Sequence, residues 1–132
     1  MFQIDSFSRV PVYEQLINQV EEFVLKDILA ADSQIPSVRN LSATLAINPN
    51  TIQKAYSELD RTGIIYSVPG KGCFITKDAK HILSEKKKEG LSSLRILLGE
   101  LKLAGISRSI ILDTVDTIYS TDMGEKEDTR ND

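Results

Sequence analysis

Apolar residues recur at helical spacing from Val12 to Ile28. Val12, Tyr13, Leu16, Ile17, Val20, Phe23, Val24 and Ile28 share one face, and Glu14, Gln15, Asn18, Glu21 and Glu22 share the other. Pro11 suits a first helical turn, so the pattern predicts one amphipathic helix over 11–29 with its apolar stripe in the core and its polar face in water. Residues 1–10 read as an extended arm. The periodicity breaks at Ala30–Pro36, where Pro36 biases Ile35 toward extended backbone. Ser37 is then a good N-cap for a short helix from Val38 to about Ala46. Two residues later comes a stronger start, Asn48 as N-cap with Pro49 in the first turn. The helix that follows carries Ile52, Ala55, Tyr56 and Leu59 on an apolar face and Asn50, Gln53, Lys54 and Ser57 on a polar one. Gly63 is its expected stop.

Beyond Gly63 the period changes. Ile64–Val68 and Cys73–Thr76 are β-rich and flank Pro69-Gly70-Lys71-Gly72. Pro-Gly fits the centre of a type II turn, so the segment predicts a β-hairpin tipped by Lys71 between two glycines. From Ala79 to Ala104 the chain reads as one long helix, with Leu91, Leu94, Leu98 and Leu101 at coiled-coil spacing over fewer than two heptads. Gly90 and Gly99 each weaken that helix by about 1 kcal/mol relative to alanine. Gly105 ends it. Ser107 starts another, with Ile106 and Ile111 placed as a hydrophobic staple and Ile110, Ile111, Val115, Ile118 and Tyr119 along its apolar face. The highly charged end from Met123 to Asp132 reads as a disordered tail.

Composition narrows the function classes. The 132 residues are 41% hydrophobic and 27% charged, with a net charge of −3, as in an ordinary soluble protein of one domain plus an appendage. No apolar run approaches a membrane span, and the N-terminus lacks the pattern of a signal peptide. A lone cysteine, Cys73, permits no intrachain disulfide and suits a cytoplasmic location. With His81 the only histidine, there is no metal-ligand cluster. There is no phosphate-binding glycine loop or nucleophile elbow either. No metal, cofactor or catalytic residue is therefore expected, nor is an enzyme.

The net negative charge hides a segregation. Residues 36–77 hold five basic residues (Arg39, Lys54, Arg61, Lys71, Lys77) against two acidic, whereas residues 11–29 hold four acidic against one basic. Arg39 in the first turn of a helix opposes the helix dipole unless an anion such as a phosphate docks there. Short polar side chains on the capped helix are those that hydrogen-bond to base edges and phosphates. The order helix, short helix, capped helix, basic hairpin is that of a winged helix-turn-helix. The expected fold is mostly α with a small β-hairpin. Its parts are a DNA-binding domain over 1–78, a two-helix module over 79–123 that must pack on the winged helix or on another copy of the chain, and a tail over 124–132. The alternative is a winged helix that only binds protein. It would need exposed aromatic or aliphatic anchors on the capped helix, where this chain has Asn50, Gln53, Lys54 and Ser57.

The segment Pro11–Thr76 resembles the DNA-binding domain of the GntR family of bacterial transcription regulators. The matching stretches are Ile35-Pro36-Ser37-Val38-Arg39-Asn40-Leu41, Asn48-Pro49-Asn50-Thr51-Ile52-Gln53-Lys54-Ala55-Tyr56, Leu59 through Gly63-Ile64-Ile65, and Gly70-Lys71-Gly72-Cys73-Phe74-Ile75. The Asn-Pro-Asn-Thr start and the short remainder are similar to the YtrA-type branch. The resemblance implies a homodimer on a near-palindromic operator in double-stranded DNA, more often a repressor than an activator. It implies DNA contacts at Ser37, Arg39, Asn48, Asn50, Thr51, Gln53, Lys54, Gly70, Lys71 and Gly72. It implies a dimer seam including Leu91, Leu94, Leu98, Leu101, Ile111, Val115 and Ile118. Many family members carry arginines where this chain has Pro49 and Gln53, so guanine readout from those two positions is absent. The remainder is too short for the large effector domains of other branches, and no residue pattern identifies a small-molecule effector.

Overall fold

The computed structural model of the chain describes Met1–Thr121, and the expected tail over 124–132 lies outside those residues. The first helix, α1, runs Val12–Leu25 and buries Leu16, Val20 and Val24. It stops short of the expected Leu29 because Asp27 takes a left-handed backbone, φ +61°. The N–H groups of Asp27 and Ile28 then close on the carbonyls of Val24 (3.1 Å) and Phe23 (2.8 Å), the Schellman pattern. Ile28, expected on the buried stripe, is consequently exposed, and Leu29 is buried in its place. Glu21, expected in water, is buried, with Lys86 Nζ 3.2 Å from its carboxylate. Nor is the N-terminal arm simply extended. Phe2 is buried with its ring 5.5 Å from that of Phe23. Gln19 accepts the Gln3 N–H at 2.9 Å, and Gln15 bonds both the N–H and the carbonyl of Asp5.

Helix α2 spans Val38–Leu45 and is capped by Ser37, whose Oγ accepts the Asn40 N–H at 3.0 Å. Left-handed Ala46 ends it, and Ile47 turns the chain into α3, Pro49–Arg61. Asn48 Oδ1 caps α3 by accepting the Asn50 N–H at 2.8 Å. At the other end Gly63, φ +85°, donates to Asp60, and Ile64 donates to Leu59 at 2.9 Å, the same Schellman closure that stopped α1. As the period predicts, α3 buries Ile52, Ala55, Tyr56 and Leu59. The Tyr56 hydroxyl donates to the Pro36 carbonyl at 2.6 Å, tying α3 to the start of α2.

The expected hairpin is two strands of a three-stranded antiparallel sheet. Strand β1 (Gln34–Ile35) pairs with β3 (Gly72–Ile75), which pairs in turn with β2 (Ile65–Val68), in the order β1-β3-β2. Ile35, Ile65 and Ile75 point into the core. On the other face Gln34 and Tyr66 flank Phe74, and the Tyr66 and Phe74 rings stack 5.5 Å apart.

Helix α4, Ala79–Lys88, packs on α1 through buried Ala79 and Leu83. The first compact unit therefore extends over Met1–Lys88, ten residues past the expected boundary, and the second begins at Glu89. The single helix expected over 79–104 is interrupted next to Gly90, and α5 spans Gly90–Leu103. After a turn at Gly105, α6 spans Arg108–Ser120, with Ser107 Oγ accepting the Ile110 N–H at 3.3 Å. Neither α5 nor α6 buries a single residue. Among the described residues no helix is long and apolar enough to cross a membrane.

Candidate nucleic-acid interface

The leading edge of α3 is presented by its cap. With Asn48 Oδ1 fixing the first turn, Asn50 and Gln53 stand exposed and Thr51 is half-buried beside them. Gln53 Nε2 donates to Ser57 Oγ at 3.1 Å, which holds its amide along the helix surface. The oxygens of Ser37 and Asn48 are occupied as caps, so these residues hold the two helix starts in place. Lys54, also expected among the DNA contacts, is exposed and turned toward α1. Its ammonium lies 3.9 Å from the centroid of the Tyr13 ring on α1, a cation–π contact beside a cleft of about 420 Å³ lined by Tyr13, Glu14, Glu21, Lys54, Glu58 and Lys86.

The fate of the five basic residues over 36–77 separates available charge from spent charge. Arg61 is paired with Glu58 through two hydrogen bonds, which hold the Glu58 carboxyl below its ordinary pKa. Lys77 reaches Asp32 at 2.7 Å. The hydrogen bonds from Lys77 and Tyr66 lower the pKa of Asp32. Lys54 faces Tyr13. Arg39 and Lys71 are exposed and, among the described residues, have no acidic partner. Arg39 lies in the first turn of α2 and Lys71 at the tip of the hairpin.

That tip is the predicted type II turn: Lys71 N–H donates to Val68 carbonyl at 2.9 Å and Gly70 has φ +77°. Gly72 follows at φ +127°, a conformation glycine favours. Gln34 of β1, which sequence reasoning passed over, donates from Nε2 to the Lys71 carbonyl at 2.8 Å. No periodicity marks a polar residue on a two-residue strand. Its position opposite Phe74 becomes visible only in the sheet register.

The proposed dimer residues lie in the second unit. Leu91, Leu94, Val115 and Ile118 are between 45 and 60% exposed, and Leu98, Leu101 and Ile111 are half-buried. Leu97, 49% exposed, continues the α5 stripe but falls outside the spacing that singled out its neighbours. No group of three or more metal-ligating side chains occurs among the described residues.

Comparison with known proteins gives the same outline. A family model described as bacterial regulatory proteins, gntR family, matches residues 12–75. The HTH-type transcriptional repressor YtrA of Bacillus subtilis (strain 168) is 38% identical over 127 residues, covering 96% of this chain and 98% of that protein. A crystal structure of a transcriptional regulator from Oenococcus oeni aligns with TM-score 0.71 at 33% identity, covering 91% of this chain and all of the other. The structure named as a transcriptional antiterminator from Listeria monocytogenes EGD-e aligns with TM-score 0.72 at 32% identity, covering 99 and 98% of the two chains.

Proposed function

The chain belongs to the gntR family of bacterial regulatory proteins, and we propose on that premise that it is a cytoplasmic, homodimeric repressor that reads a near-palindromic operator. It is a DNA-binding transcription regulator and not an enzyme. The observation that carries the residue-level reading is the exposed edge of α3, polar and without aliphatic or aromatic anchors, together with the exposed cations Arg39 and Lys71, which have no acidic partner among the described residues. A protein-docking helix would present apolar anchors there.

In this reading α3 enters the major groove with Asn50, Thr51 and Gln53 toward base edges. Arg39 and the N-terminal backbone of α2 hold a phosphate, and the Gly70-Lys71-Gly72 tip lies on the adjacent backbone or minor groove. Lys54 braces α3 against α1 through Tyr13 and adds positive potential without reading bases. Because none of the groove-facing side chains of α3 is an arginine, one subunit has modest direct readout, and affinity depends on two subunits bound together. The absence of any buried residue in α5 and α6 supports pairing with a second copy. Isolated amphipathic helices of this length are marginal in water. Repression then follows from occupancy of DNA that polymerase would otherwise use.

The test is a fluorescence-anisotropy titration of the full chain with DNA enriched from a random pool. Binding is expected to weaken steeply with salt, because each neutralised phosphate releases counterions, and to discriminate against a scrambled duplex. Equal affinity for both duplexes contradicts sequence reading.

A further inference from the structure

Gln34 is the residue through which the body of the domain meets the wing tip. Its side-chain Nε2 donates to the Lys71 carbonyl at 2.8 Å. The backbone at Gly72 is shaped around that amide. A Cβ built on Gly72 would stand 2.5 Å from Gln34 Nε2, and Gly72 adopts φ +127°. The lack of a side chain at position 72 therefore opens the space the glutamine amide occupies. The same tip is closed from its other side by the Lys71 N–H on Val68. The Lys71 peptide carbonyl is thus fixed by a side chain from β1, and its N–H by the backbone of β2.

We infer that Gln34 is a positioning residue for DNA binding, holding the Lys71 carbonyl inward so that the lysine and the tip glycines face the sugar-phosphate backbone. This rests on the proposed role of the wing. A peptide carbonyl free to rotate outward would set a partial negative charge against a phosphate. The Gln34 amide removes that acceptor from the surface and limits the hinge at the two glycines. The residue touches the tip from the start of β1, two residues before Pro36 and three before Ser37, the α2 cap, so it also links the wing to the helix that carries Arg39.

The experiment is a double-mutant cycle on the full chain, with Gln34→Ala, Lys71→Ala and both together, titrated against operator DNA from the random-pool selection and footprinted with hydroxyl radicals. Gln34→Ala is expected to weaken binding about 3- to 10-fold, the range for one lost hydrogen bond. Protection is expected to fall at the wing edge of the footprint and persist under α3, with thermal unfolding unchanged because Gln34 is exposed. In the Lys71→Ala background, removing Gln34 is expected to cost less than it does in the wild type, since the lysine's share of what Gln34 positions is gone while the carbonyl and the tip glycines remain. Additive losses, or a uniform loss of protection, overturn the inference, as does wild-type affinity in Gln34→Ala. Failure of the wild type to bind any selected DNA, or no loss with Lys71→Ala alone, strikes the proposed DNA-binding role and is read separately from the Gln34 arm.

Discussion

Replacing Leu94 and Leu98 together with glutamate is expected to dissociate the proposed dimer. In the single chain Leu94 is 46% exposed and Leu98 half-buried, so each has roughly 1 kcal/mol of burial still to gain, from the 1.5–3 kcal/mol of a fully buried leucine. A two-fold interface uses each residue twice, so the four positions amount to about 4 kcal/mol, near a thousandfold in the dimer dissociation constant. Burying carboxylates in the seam adds a further penalty. Sedimentation velocity at micromolar concentration is expected to show monomers for the double variant. Circular dichroism checks that Met1–Lys88 keeps its fold, since that unit does not include either substitution. Ile96→Glu is the matched control. Ile96 is 66% exposed and lies on the opposite side of α5, and the variant is expected to remain dimeric. A dimeric Leu94/Leu98 double variant refutes the placement of the seam; dissociation by Ile96→Glu puts it on the other face.

Arg39→Ala removes an exposed cation with no acidic partner among the described residues, so operator affinity is expected to fall about 10- to 150-fold, as for the loss of charge-assisted hydrogen bonds. The dimer is expected to persist, and undiminished binding takes Arg39 out of the site. Gly63→Ala forces a left-handed residue at φ +85° and sets a Cβ 3.1 Å from Ile82 Cδ1. It is expected to cost roughly 1–2 kcal/mol in urea unfolding, and an unchanged midpoint contradicts the Schellman account of α3. Asp32 is expected to titrate below its ordinary value in an NMR pH series, chiefly through its hydrogen bonds from Lys77 and Tyr66. Its folded pKa being depressed, its stabilising contribution is present above the unfolded pKa and is lost as pH falls through the folded value. Lys77→Ala is expected to raise the Asp32 pKa, and an unmoved titration contradicts the assigned cause.

Where a side-chain type imposes a backbone solution, the chain was legible. Asn48-Pro49 at the start of α3, Gly63 at its end, and Pro69-Gly70 in the turn all act locally, and the structure places each as the spacing predicts. Departures arise where a distant partner decides. Glu21 reads as a solvent residue until Lys86, 65 positions on, covers it. Asp27 ends α1 in a conformation usually left to glycine, so no stop was visible there. β1 is two residues long and exists only through its pairing with β3, which hid both the third strand and the Gln34 contact. Phe2 and the Gln15 and Gln19 amides fold the N-terminal arm onto α1 through contacts that periodicity does not encode. At the candidate site, the exposure of Arg39, Asn50, Gln53 and Lys71 was readable from residue type and place. The Lys54 contact was not, because Tyr13 belongs to another helix.

The proposed homodimer reads a two-fold-symmetric DNA site through α3 and the wing. Selection of bound duplexes from a random pool by the full-length protein tests it most directly. An enriched motif with two inverted half-sites spaced one helical turn or a multiple of it apart is expected. A pool that never converges, or one that converges on a single asymmetric half-site, contradicts it.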